Sequence, residues 1–129
     1  VAKKQKGPPE HWLNEPEEKD FLAATNYLSL LFADADAASM AEDLRNAPAI
    51  NREANDLLRA SRLELLPETD PVVKKNIKKV ARGKPLSPVL LVRVRANEPL
   101  IVADGYHRIC ASYHLDEDIE ISCRMVDLP

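Results

Sequence analysis

The chain is poor in residues that mark several large classes of protein. Its 129 residues include only three glycines, too few for a collagen-like or fibrous repeat. It has two cysteines, Cys110 and Cys123, with neither CxxC nor metal-site spacing, which leaves no disulfide framework or structural zinc site to expect. No run of 18 apolar residues occurs, so no transmembrane helix is expected. The segment Val1 to Pro9 is basic and proline-tipped but has no apolar centre, so it does not read as a signal peptide. Two reduced cysteines used as small buried hydrophobes follow from that reading. What remains is a soluble cytoplasmic domain. With 45% hydrophobic residues, it can bury a core without a metal or disulfide staple.

An excess of positive charge is also missing. The net charge is −3, which argues against a domain that holds nucleic acid by charge alone. The charge is uneven, however. Lys74, Lys75, Lys78, Lys79, Arg82 and Lys84 follow one another with no acid between Val72 and Lys84. Asp116, Glu117, Asp118 and Glu120 form an acidic cluster with no base.

Residues 1–10 read as a disordered arm. Pro16, with Glu17 and Glu18 at the positive end of the dipole, opens a helix over 16–32. Its apolar stripe is Phe21, Ala24, Leu28 and Leu31 or Phe32, with Trp12 as the anchor. Asp36 caps a second helix to Asn46, with Met40 and Leu44 inward. After Ala47-Pro48, a third helix over 49–60 carries Ile50, Ala54, Leu57 and Leu58. Residues 11–60 are thus a three-helix segment without a strand, packed on the core or offering a homodimer surface.

The pattern changes after Ser61. Arg62 to Leu66 reads as a short strand stopped by Pro67. Asp70-Pro71 caps a helix over 71–82, closed by Gly83, whose inner stripe is Val73, Ile77 and Val80. Its lysines read as a solvated face, or as a surface that steers phosphate or binds nucleic acid. No aromatic is interleaved there, so DNA binding is expected to be weak or absent. Val89–Val94 and Leu100–Ala103 read as neighbouring strands, Tyr106–His114 as a short helix, and Ile119–Val126 as a last strand. In that strand Ile119, Ile121, Cys123 and Met125 face inward, and Glu120, Ser122 and Arg124 outward. The expected fold is α+β: a small mixed β-sheet with short helices over 61–129, preceded by the helical segment.

The chemistry concentrates in Asp104-Gly105-Tyr106-His107-Arg108, where a strand runs through a glycine turn into a helix. Free amides at a helix start attract anions, and Gly105 lets backbone approach a ligand. Arg108 offers a planar fork of donors to phosphate, and His107 can donate to the same oxygens or act as acid or base. Asp104 has three roles open: orienting His107, holding a phosphate-bound metal, or capping the helix. A purely internal use is equally open, with Arg108 paired to Asp104 or to an acid of the last loop. Cations at a helix N-terminus oppose the dipole, which is the reason to look for an anion there. His11 and His114 lack metal-ligand spacing.

These five residues resemble the DGxHR element of the ParB-like and sulfiredoxin-like superfamily. Ile77, Gly83, Leu86 and Pro88 resemble its upstream run, in which a helix ends in glycine and leads to a strand. The resemblance covers about residues 61–129. It implies a nucleotide-phosphate site formed by Gly105, Tyr106, His107 and Arg108, with ATP, ADP or CTP and Mg²⁺ held through Asp104. Relatives of that kind include CTP-binding partition proteins, ATP-dependent sulfinic-acid reductases and a nucleotide-dependent serine kinase. The implied activity is that of a hydrolase or small-molecule kinase, with Asp104 and His107 in catalytic roles and Glu64, or Glu68, as the base. The chain departs from the family in three places. Tyr106 stands where sulfiredoxins carry their cysteine. Thr69, Val72 and Asn76 fall where Lys, Ser and Thr contacts would lie. No helix-turn-helix segment is expected after the last strand. Two alternatives stand beside nucleotide binding: a noncatalytic interaction or accessory domain, and a DNA-associated regulator.

Overall fold

A computed structural model describes residues 11–128; the expected arm over 1–10 lies outside the described residues. The elements are α1 (Glu18–Leu28), α2 (Asp34–Asn46), β1 (Ile50–Glu53), α3 (Ala54–Ser61), α4 (Pro71–Ala81), β2 (Val89–Arg93), β3 (Ile101–Asp104), α5 (Tyr106–Leu115) and β4 (Glu120–Asp127). The four strands form one mixed sheet in the order β1-β4-β2-β3. β2 runs parallel to β4, and the other pairs are antiparallel. The chain is a small α+β domain.

Helices cover both faces of the sheet. On one face, Phe21 and Leu28 of α1 and Met40 and Leu44 of α2 pack with Leu90, Val92 and Ala103. On the other, Leu57 of α3, Val73 of α4 and Ile109 of α5 pack with Val89, Leu91, Ile121 and Cys123. This explains why β2 is an unbroken apolar run: Val89, Leu90, Leu91 and Val92 are all fully buried, two toward each layer.

Several elements form for the reasons their residues suggest. Asp70 caps α4, its Oδ1 accepting from the amides of Val72 and Val73 at 3.0 Å. Gly83, at φ +76°, takes the left-handed position after it. Both cysteines are free and buried.

Other expectations are corrected. The region before residue 61 does contain a strand: β1 pairs with β4 from Ile50↔Cys123 to Glu53↔Glu120. The third helix therefore starts only at Ala54. Pro48 disfavours helical backbone just before it, and the open edge of β4 takes up the hydrogen-bonding groups that follow. One sheet thus draws strands from both sides of residue 61.

Arg62–Leu66 is not a strand. α3 ends with Arg62 at φ +59°, and the backbone beyond is satisfied by side chains rather than by a ladder. The Tyr106 hydroxyl donates to the Glu64 carbonyl, and His114 Nε2 lies 2.7 Å from the Leu66 carbonyl.

α1 is shorter than expected, because tight turns replace its last part, with Phe32 N donating to Leu28 O. Asp36 lies inside the first turn of α2, whose N-cap is Ala33. Trp12 does not anchor α1. It is buried with Leu57, Val73 and Leu86 on the opposite face, where a two-way backbone pairing ties His11 and Leu13 to Leu86. In β4, Ser122 and Arg124 are buried rather than outward. Arg124 donates to the carbonyls of Asn14 and Ala47 and to Glu15. The alternation of β4 is real, but both of its faces are covered.

Candidate functional site

β3 ends at Asp104, and Gly105 turns the chain into α5 with φ +116°. A side chain there would collide with the core, because a Cβ would sit 2.8 Å from Val89 Cγ2 and 3.0 Å from Arg108 Nη2. Glycine is therefore required twice, by the backbone angle and by the guanidinium folded over it. Gly105 gives α5 no side-chain cap, and the first helical bond runs from Ile109 N to Gly105 O.

Arg108 points back over this turn. Its Nη2 donates to Asp104 Oδ2 at 3.0 Å and to the Pro88 carbonyl at 3.2 Å. Its Nη1 lies 3.9 Å from Asp20 Oδ1. Its Nε is buried with no hydrogen-bond partner among the described residues. The guanidinium thus stands between two carboxylates from distant parts of the chain, and its side chain is only 16% exposed.

Asp20 is the more deeply buried of the two carboxylates. Its Oδ2 also accepts the Glu17 amide at 2.8 Å, closing a capping box at the start of α1. Burial raises the pKa of Asp104 above the ordinary carboxylate value. Arg108 opposes the shift, and the neighbouring Asp20 adds to it. With all three groups ionised, the cluster carries one net negative charge.

The structure thus brings together Asp104, Gly105 and Arg108 and adds Asp20, which the sequence reading missed. A signal for it was present: Asp20, Ala24 and Leu28 recur at a spacing of four along the buried stripe of α1. His107 is half-buried; its ring meets the Tyr106 ring at 5.6 Å between centroids, and its side chain makes no hydrogen bond among the described residues. Glu64 does not join the corner through its carboxylate. Its side chain is exposed, and its contribution is the backbone carbonyl that holds Tyr106. Glu68 lies 4.0 Å from His114 Nδ1. For a metal, the corner offers two carboxylates, Asp104 and Asp20. Among the described residues no group of three or more His, Cys, Asp or Glu could hold an ion.

Of the concave surfaces elsewhere, two stand out by their lining. A groove of about 550 Å³ lies at the start of β3, lined by Ile101 and Val102, by Leu31 and Phe32 after α1 and by Leu63 after α3. A second cavity, of about 580 Å³, lies on α4 among its lysines. The Asp104–Arg108 turn lines neither. No helix among the described residues is long and apolar enough to cross a membrane.

Comparison with protein-family models, with curated proteins and with solved structures returned no match.

Proposed function

We propose that this chain is an accessory interaction domain that captures an extended apolar segment of a partner protein along the free edge of β3. The observation that carries this reading is the groove itself. Among the described residues β3 pairs with no strand but β2, so its other edge is where a further strand could add. In the groove's lining, Leu31 is 50% exposed and Tyr27 44%. Leu31, Phe32, Ile101 and Val102 line the groove. Clustered exposed apolar side chains of this kind mark binding surfaces.

Peptide display against the folded domain tests the reading. Enrichment of extended, alternately apolar peptides is expected, and it should be lost in a Leu31→Glu/Val102→Glu variant that keeps its circular dichroism spectrum. Equal enrichment on the variant would defeat the reading. So would reversible self-association through this edge, which would make a second copy the occupant.

Nucleotide binding at Tyr106–Arg108 is the second reading, in line with the resemblance to the ParB-like and sulfiredoxin-like superfamily. It is favoured by the uncapped start of α5 and by the half-buried His107 beside it. It requires Arg108 to give up Asp104 to a phosphate, or Asp104 and Asp20 to face a phosphate-bound Mg²⁺. Calorimetry with ATP, ADP and CTP plus Mg²⁺ tests it, and silence at millimolar nucleotide would remove it, together with any hydrolase or kinase role. The cytoplasmic placement belongs with both readings and rests on the two free thiols.

A further inference from the structure

The cationic side chains of α4 and its following turn stand apart from the rest of the charge distribution. Lys74, Lys75, Lys78, Lys79, Arg82 and Lys84 line one cavity of about 580 Å³, in which Pro71 is the remaining lining residue. No acid lines it. Elsewhere several exposed cations have a carboxylate partner: Arg45 with Glu18, Arg93 with Asp127, Arg59 with Asp56. None of these six cations of the cavity makes an ion pair or side-chain hydrogen bond among the described residues. Yet the chain has 21 acids against 18 lysines and arginines, so acids were not scarce.

This arrangement costs the helix stability. Lys74 with Lys78, Lys75 with Lys79 and Lys78 with Arg82 are like charges one turn apart. Each such pair disfavours the helix by about 0.2–0.5 kcal/mol. The macrodipole favours cations only in the last turn, so it does not offset Lys74 and Lys75 near the start. A bound anion would offset the repulsion along the whole row.

We propose that this cavity is a binding site for a compact oligophosphate: a chain of three or more phosphates, or a small molecule bearing several. Five of the six cations are lysines, point charges with rotatable donors that suit phosphate oxygens without demanding one geometry. The row from Lys74 to Arg82 is about 12 Å long at 1.5 Å per residue, and the cavity has the size of a small-ligand site. The same dimensions select against a long polyanion. A duplex would run past the row onto a protein of net negative charge, and no aromatic side chain lines the cavity to stack a base. The site shares no residue with the β3 groove or the Arg108 corner, so it stands or falls independently of both.

Titration calorimetry with sodium tripolyphosphate at low salt, in a phosphate-free buffer, tests the proposal. The expected result is saturable binding that outlasts that of inorganic phosphate as salt rises. The double variant Lys74→Gln/Lys78→Gln should weaken it tenfold or more and reduce the slope of log affinity against log salt by about two. Lys19→Gln, on an exposed side chain that does not line the cavity, should leave it unchanged. No heat and no thermal shift with tripolyphosphate would overturn the proposal. Equal weakening by Lys19→Gln would also overturn it, by reducing the effect to net charge. Tight binding of a 20-base-pair duplex that tripolyphosphate fails to displace would overturn it in favour of an extended nucleic acid.

Discussion

Arg108 reaches back one helical turn to donate to Asp104 at 3.0 Å, across the glycine that separates strand from helix. The contact joins β3 to α5. With Asp20 3.9 Å away, it also joins both of them to α1. Asp104 is an anion that the chain itself supplies to the guanidinium at the start of α5.

Removing that cation leaves two carboxylates facing each other with little solvent. Breaking a buried pair in this way typically costs about 3–5 kcal/mol. Arg108→Met is expected to lower unfolding free energy in urea by about 3 kcal/mol at pH 7. The loss should shrink at pH 4, where protonation relieves the repulsion. A variant as stable as the parent at pH 7 would show that Arg108 is free for a ligand and not a structural tie.

Gly105→Ala is expected to destabilise by about 2 kcal/mol or more. The new methyl would have to occupy a φ of +116° and approach Val89 Cγ2 to 2.8 Å. Chemical denaturation measures the loss. Gly83→Ala is the comparison: its φ is also positive, but no atom lies within 4 Å of the added Cβ, so its cost should be smaller.

Asp104 carries a pH dependence of definite sign. Its pKa is raised in the folded state, first by burial. A carboxyl so shifted binds its proton more tightly in the folded than in the unfolded chain. Its contribution to stability is therefore fully present below the unfolded value and is lost as pH rises through the folded one. Asp104→Asn keeps an acceptor for Arg108 and removes the titration. The stability of the parent minus that of the variant should fall as pH rises from the ordinary carboxylate value of 3.8, and a flat difference would refute the shift.

Cys110 and Cys123 should be silent toward thiol reagents in the native protein. Both are fully buried, and burial raises both thiol pKa values, that of Cys123 to about 12. Two thiols per chain are expected to react in denaturant and none before it. Rapid native labelling of either would contradict their burial.

The amino-acid order alone determined the elements whose signals are local. The Asp70-Pro71 start and Gly83 end of α4, the apolar run of β2, and the passage from β3 through Gly105 into α5 depend on neighbours in sequence, and each lies where its residues indicate. Pairing Arg108 with Asp104 was legible as an option, because the two stand one helical turn apart.

Tertiary structure decided what depends on distant partners. Ile50–Glu53 has the composition of a helix start and became a strand because the edge of β4 was open to it. Arg62–Leu66 has the composition of a strand and stayed irregular, its carbonyls satisfied by Tyr106 and His114. Ser122 and Arg124 alternate as solvent-facing residues would, but α2 and the chain near Asn14 cover them. Asp20, far earlier in the chain, came to face Arg108 only because α1 packs across β3. Periodicity records which side of an element is apolar. It does not record how many layers will cover that element, nor which buried charge will find its counterion.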